Sequence, residues 1–152
     1  MNTASDGARS TRASSQIRTL LVEDHLPFLH HLCSTLRQRG DLNVVAQAQN
    51  GLEAVALAQA LQPDLVLLDI GLPGLNGIEA ARRIRVLAPD TKILFLTQEC
   101  SPDIVDEALS VGAWGYILKS SSTRDLPLAL EAIIQGKKFS SEGLDRGAGV
   151  ST

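Results

Sequence analysis

The chain has 152 residues, 44% hydrophobic and 20% charged, which is enough for one domain with a real core and too few for two of ordinary size. Its 14 Lys and Arg against 17 Asp and Glu leave a net charge of -3 and no basic patch, which argues against a dedicated nucleic-acid surface. Cys33 and Cys100 lack metal or redox spacing, the N-terminus lacks the apolar core of a signal peptide, and no apolar stretch approaches membrane-spanning length; a cytoplasmic protein with no membrane partner is expected.

Residues 1–16 are rich in Ser, Thr, Ala, Gly and Arg with no periodic apolar positions, and are expected to form a disordered arm. From Ile17 to Phe139, strand and helix patterns alternate five times, the signature of a parallel sheet with crossover helices. Leu20-Leu21-Val22 marks the first strand, followed by a helix over 27–39 that spaces Phe28, Leu32 and Leu36 four apart and stops at Gly40. Val44-Val45-Ala46 is the second strand, and an Ala-rich helix over 52–61 puts Val55, Ala58 and Leu61 on one face before Pro63. Leu65-Val66-Leu67-Leu68, the most apolar segment, is a third strand ending on Asp69.

Turn residues from Gly71 to Gly77 make a loop, and a helix over 78–87 follows. Ile93-Leu94-Phe95-Leu96 is the fourth strand and closes on Thr97; the next helix, over 102–110, directs Ile104, Val105, Ala108 and Leu109 toward the sheet. A turn through Gly112-Ala113-Trp114-Gly115 leads to the fifth strand, Tyr116-Ile117-Leu118, which ends on Lys119. The last helix, over 123–135, carries Leu126, Leu130, Ile133 and Ile134, and residues 140–152 are expected to be a linker or frayed tail.

Four of these apolar runs end on reactive polar groups: Glu23-Asp24, Asp69, Thr97 and Lys119. Buried parallel strands place such groups along one sheet edge, where open α/β sheets carry their chemistry. Three carboxylates in one crevice resist ionising unless a cation sits among them, and all-oxygen ligation by few protein groups fits Mg²⁺. Lys119 adds a second positive charge and Thr97 a hydroxyl donor, the parts needed to spread the charge of a transferring phosphoryl group. Asp69, alone at the end of the central strand, is then the nucleophile, and Glu23-Asp24 the metal-holding pair.

Glu23-Asp24, Asp69 with Leu72-Pro73 and Gly77, Thr97, and Tyr116-Ile117-Leu118-Lys119 together resemble the motif set of the receiver domain of bacterial two-component response regulators. The resemblance spans 17–139 and implies a single flavodoxin-like, doubly wound (βα)5 domain with parallel strand order 2-1-3-4-5. It implies that Asp69 accepts a phosphoryl group from a sensor histidine kinase. Asp24 would bind Mg²⁺ directly, Glu23 through water, and the backbone carbonyl of Gly71 would be a further ligand, while Lys119 and Thr97 grip the phosphoryl oxygens. By the same resemblance Thr97 and Tyr116 form a switch that reshapes the surface of the fourth helix, fifth strand and fifth helix, and phosphorylation drives homodimerisation.

Val22-Glu23-Asp24-His25, the Gly112-Ala113-Trp114-Gly115-Tyr116 turn and Lys119-Ser120 look most like the NarL/LuxR type, whose members carry a C-terminal helix-turn-helix domain. DNA is therefore an expected partner only through a domain not present in this chain, and transcription regulation the expected output. The alternative is a stand-alone receiver acting by protein–protein contact or as a phosphate relay. The resemblance implies no enzyme beyond catalysis of the domain's own phosphorylation and dephosphorylation.

Ser120 stands where many receivers have Pro, and Gly71 and Glu99 occupy positions that tune phosphoryl lifetime in the family. An Asp-nucleophile hydrolase of the haloacid dehalogenase type would place an Asp-x-Asp motif after the first strand, and a flavodoxin-like nucleotide binder would need a phosphate-cradling loop there; this chain has acids instead. A pseudo-receiver would lack one of the acids or the lysine. Adjacent His30 and His31 diverge on a helix and are assigned no metal.

Overall fold

The computed structural model describes residues 16–98 and 101–141. Six parallel strands, β1 (Ile17–Val22), β2 (Leu42–Ala48), β3 (Leu65–Asp69), β4 (Lys92–Thr97), β5 (Gly115–Leu118) and β6 (Phe139–Ser140), form one sheet in the order β2-β1-β3-β4-β5-β6. The helices between them are α1 (Leu26–Arg37), α2 (Gly51–Leu61), α3 (Gly77–Leu87), α4 (Pro102–Ser110) and α5 (Ser122–Ile134). This is the expected doubly wound flavodoxin-like fold, with one short strand added at the edge.

Strand alternation assigns each side chain to one of two cores. Leu20, Val22, Val66, Leu68, Ile93, Phe95 and Tyr116 face α2, α3 and α4, whereas Leu21, Leu65, Leu67, Leu94, Leu96 and Ile117 face α1 and α5. Both faces of β3 are covered, which is why its sequence is apolar without interruption.

Local signals set the helix boundaries. The Asn50 side chain accepts a hydrogen bond from Glu53 N at 2.8 Å while the Glu53 carboxylate accepts one from Gln49 N at 2.9 Å, so the first turn of α2 is satisfied reciprocally. Asn76 caps α3 in the same way through Glu79 N at 2.9 Å. α1 ends at Arg37 rather than 39, and Arg39 lies beyond it, where its guanidinium binds Asp41 at 3.0 Å and Glu131 of α5 at 3.3 Å.

Three packing expectations are corrected. The buried face of α2 is Ala54 and Ala58, with Val55 and Leu61 only half-buried, because small side chains let this helix approach the sheet and α3 closely. Leu109 at the end of α4 and Ile134 at the end of α5 remain 47% and 40% exposed, since each lies at its helix's last turn, where only part of the stripe meets the sheet. The ordered chain also continues past 139: Ser140 pairs with Tyr116 in β6, and Ser141 has no exposed surface. Residues 1–15 of the expected arm over 1–16, Glu99, Cys100 and residues 142–152 of the expected tail over 140–152 lie outside the described residues.

Candidate phosphoacceptor site

The strand order reverses at β1, so the carboxyl ends of β1 and β3 open onto a crevice rather than a crossover helix. In-register pairing sets Val22 opposite Leu68 and Thr97 opposite Leu118, which brings the residue that closes each strand to one edge. Glu23, Asp24, Asp69, Gly71, Thr97 and Lys119 all line this crevice of about 370 Å³. Tyr116 lies behind it in β5, opposite Phe95 and 3% exposed.

Asp69 is nearly buried, with Oδ1 accepting a hydrogen bond from Gly71 N at 3.0 Å and Oδ2 3.2 Å from Lys119 Nζ. Glu23 has no exposed surface; its Oε2 accepts from His25 N and from Lys119 Nζ, both at 3.0 Å. Glu23 Oε1 sits 2.9 Å from the same ammonium, its ion-pair partner, and has no further hydrogen-bond donor. Asp24 is exposed at the mouth of the crevice.

Burial pushes the Glu23 carboxyl up, and the charge of Asp69 adds to this, against the pull of Lys119 and His25. Burial likewise raises Asp69, with Asp24 contributing, although Gly71 and Lys119 oppose it. Lys119 loses affinity for its proton through burial, but its hydrogen bond to Glu23 and the charges of Asp69 and Glu23 outweigh that and hold it above the ordinary 10.5. One fixed ammonium thus faces two carboxylates that burial disfavours as anions.

These residues fit a hard divalent cation. Carboxylate oxygens of Glu23, Asp24 and Asp69 lie within 4.8 Å of one another, and Glu23 Oε1 is a buried acceptor with no donor beyond its ion-pair partner Lys119. An oxygen-only set with open volume beside it is the donor chemistry Mg²⁺ takes, with water and phosphate oxygens completing the shell. No histidine joins this group among the described residues; His31 instead faces Ser122 at 3.4 Å and the Phe28 ring.

The loop between Asp69 and α3 depends on Gly77, where a Cβ would run into the Asp69 carbonyl oxygen and the Ile70 backbone. A side chain at Gly71, in contrast, would meet only Asp69 Oδ1 at 3.8 Å, an ordinary contact beside that carboxylate. Lys119 opens a 3₁₀ turn (Lys119–Ser121) that runs into α5, and no cis peptide bond occurs among the described residues, so Ser120 follows the lysine in the trans form. Phe28, read from the sequence only as a core position of α1, places its ring 5.1 Å from Lys119 Nζ and roofs the ammonium.

Comparison with known proteins agrees with this geometry. The family model described as the response regulator receiver domain matches residues 19–131. The transcriptional regulatory protein LiaR of Bacillus subtilis is 36% identical over 121 residues, which cover 80% of this chain and 57% of LiaR. The nitrate/nitrite response regulator protein NarL of Escherichia coli K12 is 34% identical over 125 residues, 82% of this chain and 58% of NarL. The chain thus spans a little over half the length of the curated relatives it matches.

Among solved structures, a LuxR-family two-component response regulator from Aurantimonas sp. SI85-9A1 superposes with a TM-score of 0.82 at 35% identity, covering 87% of this chain and 94% of that one. The isolated receiver domain of RcsB from Salmonella enterica serovar Typhimurium, solved with the phosphomimetic BeF3-, superposes at 0.81 with 28% identity over 86% of this chain and 97% of that one. From fold, crevice and relatives together, the chain belongs to the response regulator receiver domain family and is a receiver of the NarL/LuxR type.

Proposed function

We propose that Asp69 is the phosphoacceptor and that the chain is a cytoplasmic phospho-switch loaded by a sensor histidine kinase. The observation that carries this reading is the position of Asp69, whose Oδ1 is fixed by Gly71 N while Oδ2 faces Lys119 across the crevice. Oδ2 attacks phosphorus, the bond from phosphorus to the donor's imidazole nitrogen breaks, and the imidazole leaves with the electron pair. Lys119 and the Thr97 hydroxyl stabilise the charge that builds on the phosphoryl oxygens. Asp24, Asp69 and the Gly71 carbonyl, with Glu23 beside them, would hold Mg²⁺, which when bound would supply positive charge to keep the acids ionised and to neutralise the phosphate.

Thr97 and Tyr116 carry the signal outward. Tyr116 is inward in this structure, packed in the core between the sheet and α4, so a phosphoryl group that draws Thr97 toward it acts on a packing already available. The output is transcription regulation, through a helix-turn-helix domain of the kind that NarL/LuxR proteins carry and with homodimerisation on phosphorylation. The names of LiaR and NarL as regulators support that output. Incubation with acetyl phosphate and Mg²⁺, followed by intact-mass measurement, tests the reading: one phosphoryl group is expected per chain, lost on chelation of the metal before loading, and a mass unchanged in the presence of metal would refute it.

A further inference from the structure

The segment that leaves the sheet is tied to the site by one buried hydroxyl. Ser141, fully buried, donates to Asp125 Oδ2 at 2.8 Å and accepts from Leu118 N at 2.9 Å, while its own N–H extends the β5–β6 ladder to Tyr116 O at 3.0 Å. Asp125, 3% exposed in the first turn of α5, is also bound by Arg124 Nε at 2.9 Å. Burial works against its charge, but Arg124 and Ser141 more than offset this and keep its carboxyl below the ordinary value. Leu118 precedes Lys119, and Asp125 follows the 3₁₀ turn that Lys119 begins.

The single Ser141 side chain therefore closes the loop that carries Lys119 from both ends: its last strand amide on one side and the start of the next helix on the other. A serine hydroxyl has one proton to give, and here it is given to a carboxylate, which fixes the direction of the remaining lone pairs toward Leu118 N. Opening this contact would take the partner from a part-buried N–H and from one oxygen of a buried carboxylate at once, leaving Asp125 only Arg124, so the contact is held closed wherever β6 is docked.

We propose that Ser141 is a positioning residue for Lys119, and that the chain segment leaving the receiver is coupled through the Ser141–Asp125–Leu118 contacts to phosphorylation at Asp69. The inference rests on the reading of Asp69 as phosphoacceptor. Because coupling between two equilibria is reciprocal, undocking of β6 loosens Lys119, and occupancy of the crevice in turn alters the opening of β6. The state of the chain at Ser141 is thereby read by the site through Asp125 and Leu118.

The test uses the full chain with acetyl phosphate and Mg²⁺, comparing wild type with Ser141→Ala, and records the phosphorylation rate, amide hydrogen exchange at Leu118 and Leu96, and the urea midpoint. Ser141→Ala is expected to phosphorylate more slowly by roughly fivefold, the effect of one lost buried hydrogen bond. Exchange at Leu118 is expected to accelerate while Leu96, in the core of β4, is unchanged. Asp125→Asn, which keeps an acceptor for the hydroxyl, is expected to remain close to wild type, and Asp125→Ala to match Ser141→Ala; this pair decides the matter if Ser141→Ala does not fold. Equal phosphorylation rates despite faster Leu118 exchange would overturn the coupling while leaving Asp69 as acceptor. A wild type that takes up no phosphoryl group would overturn the reading of Asp69 and the coupling with it.

Discussion

The ammonium of Lys119 lies 2.9 and 3.0 Å from the two carboxylate oxygens of Glu23, a residue with no exposed surface. Lys119 therefore stabilises the acid cluster before any phosphoryl group arrives. Removing it with Lys119→Met leaves Glu23 and Asp69 buried without their cation, and the domain is expected to lose about 3 kcal/mol at neutral pH. Urea unfolding measures this directly, and a midpoint equal to that of wild type would show that the ion pair contributes nothing.

Asp69→Asn acts with the opposite sign. Burial holds the Asp69 carboxyl above its ordinary 3.8, so the native state binds that proton more tightly than the unfolded chain. At pH above the raised native value the ionised carboxylate weighs against folding, and the penalty fades as pH falls through that value toward 3.8. Asp69→Asn is expected to be more stable than wild type by about 1 kcal/mol at neutral pH without metal, and equal to it near the acid end. A stability gain that grows on acidification would contradict the assignment.

Mg²⁺ is expected to stabilise the wild-type fold, because the cluster of Glu23, Asp24 and Asp69 exists only in the native state. Thermal unfolding at a metal concentration a hundredfold above its dissociation constant should show a gain of about 2.7 kcal/mol. Asp24→Asn removes the exposed carboxylate at the crevice mouth and should abolish most of the gain while leaving the metal-free stability within about 0.5 kcal/mol of wild type. An undiminished metal response in Asp24→Asn would exclude this residue as a ligand.

Thr97→Ala, compared with wild type at equal final loading, tests the signal apart from the rate of phosphorylation. Trp114 is the chain's one tryptophan; it stands two residues before Tyr116, under Lys92 Nζ at 4.4 Å from the ring centroid. Movement of β5 on phosphorylation should therefore change its emission. Wild type is expected to show that change, and Thr97→Ala to take up the same amount of phosphoryl group with less than about a third of the emission change, the loss of a shift driven by a few kcal/mol of differential contact. Equal emission changes at equal loading would remove Thr97 from the switch.

The crevice was legible in the sequence because each reactive group follows a short apolar run, and a parallel sheet aligns run ends on one edge. β6 was not legible. Two residues, Phe139 and Ser140, carry no period of their own, and their strand state comes from pairing with Gly115 and Tyr116. Ser141 reads as part of a polar tail, since nothing local announces a hydroxyl that will be buried between Asp125 and Leu118. The face of α2 is legible at Ala58 and in part at Val55, which packs half-buried against the core; Ala54 is not, because an alanine carries little hydrophobic signal although its small side chain permits close helix approach. Phe28 reads as core from its spacing, and its contact with Lys119 joins the first turn of α1 to the turn after β5, which only the folded sheet brings together.

Hydride trapping addresses the acceptor itself. Borohydride reduces an aspartyl phosphate to homoserine, so peptide sequencing after acetyl phosphate, Mg²⁺ and borohydride treatment names the residue that carried the phosphoryl group. Homoserine at position 69, absent from Asp69→Asn, is the expected result. Homoserine at another aspartate, or phosphoryl incorporation that persists in Asp69→Asn, would contradict the account.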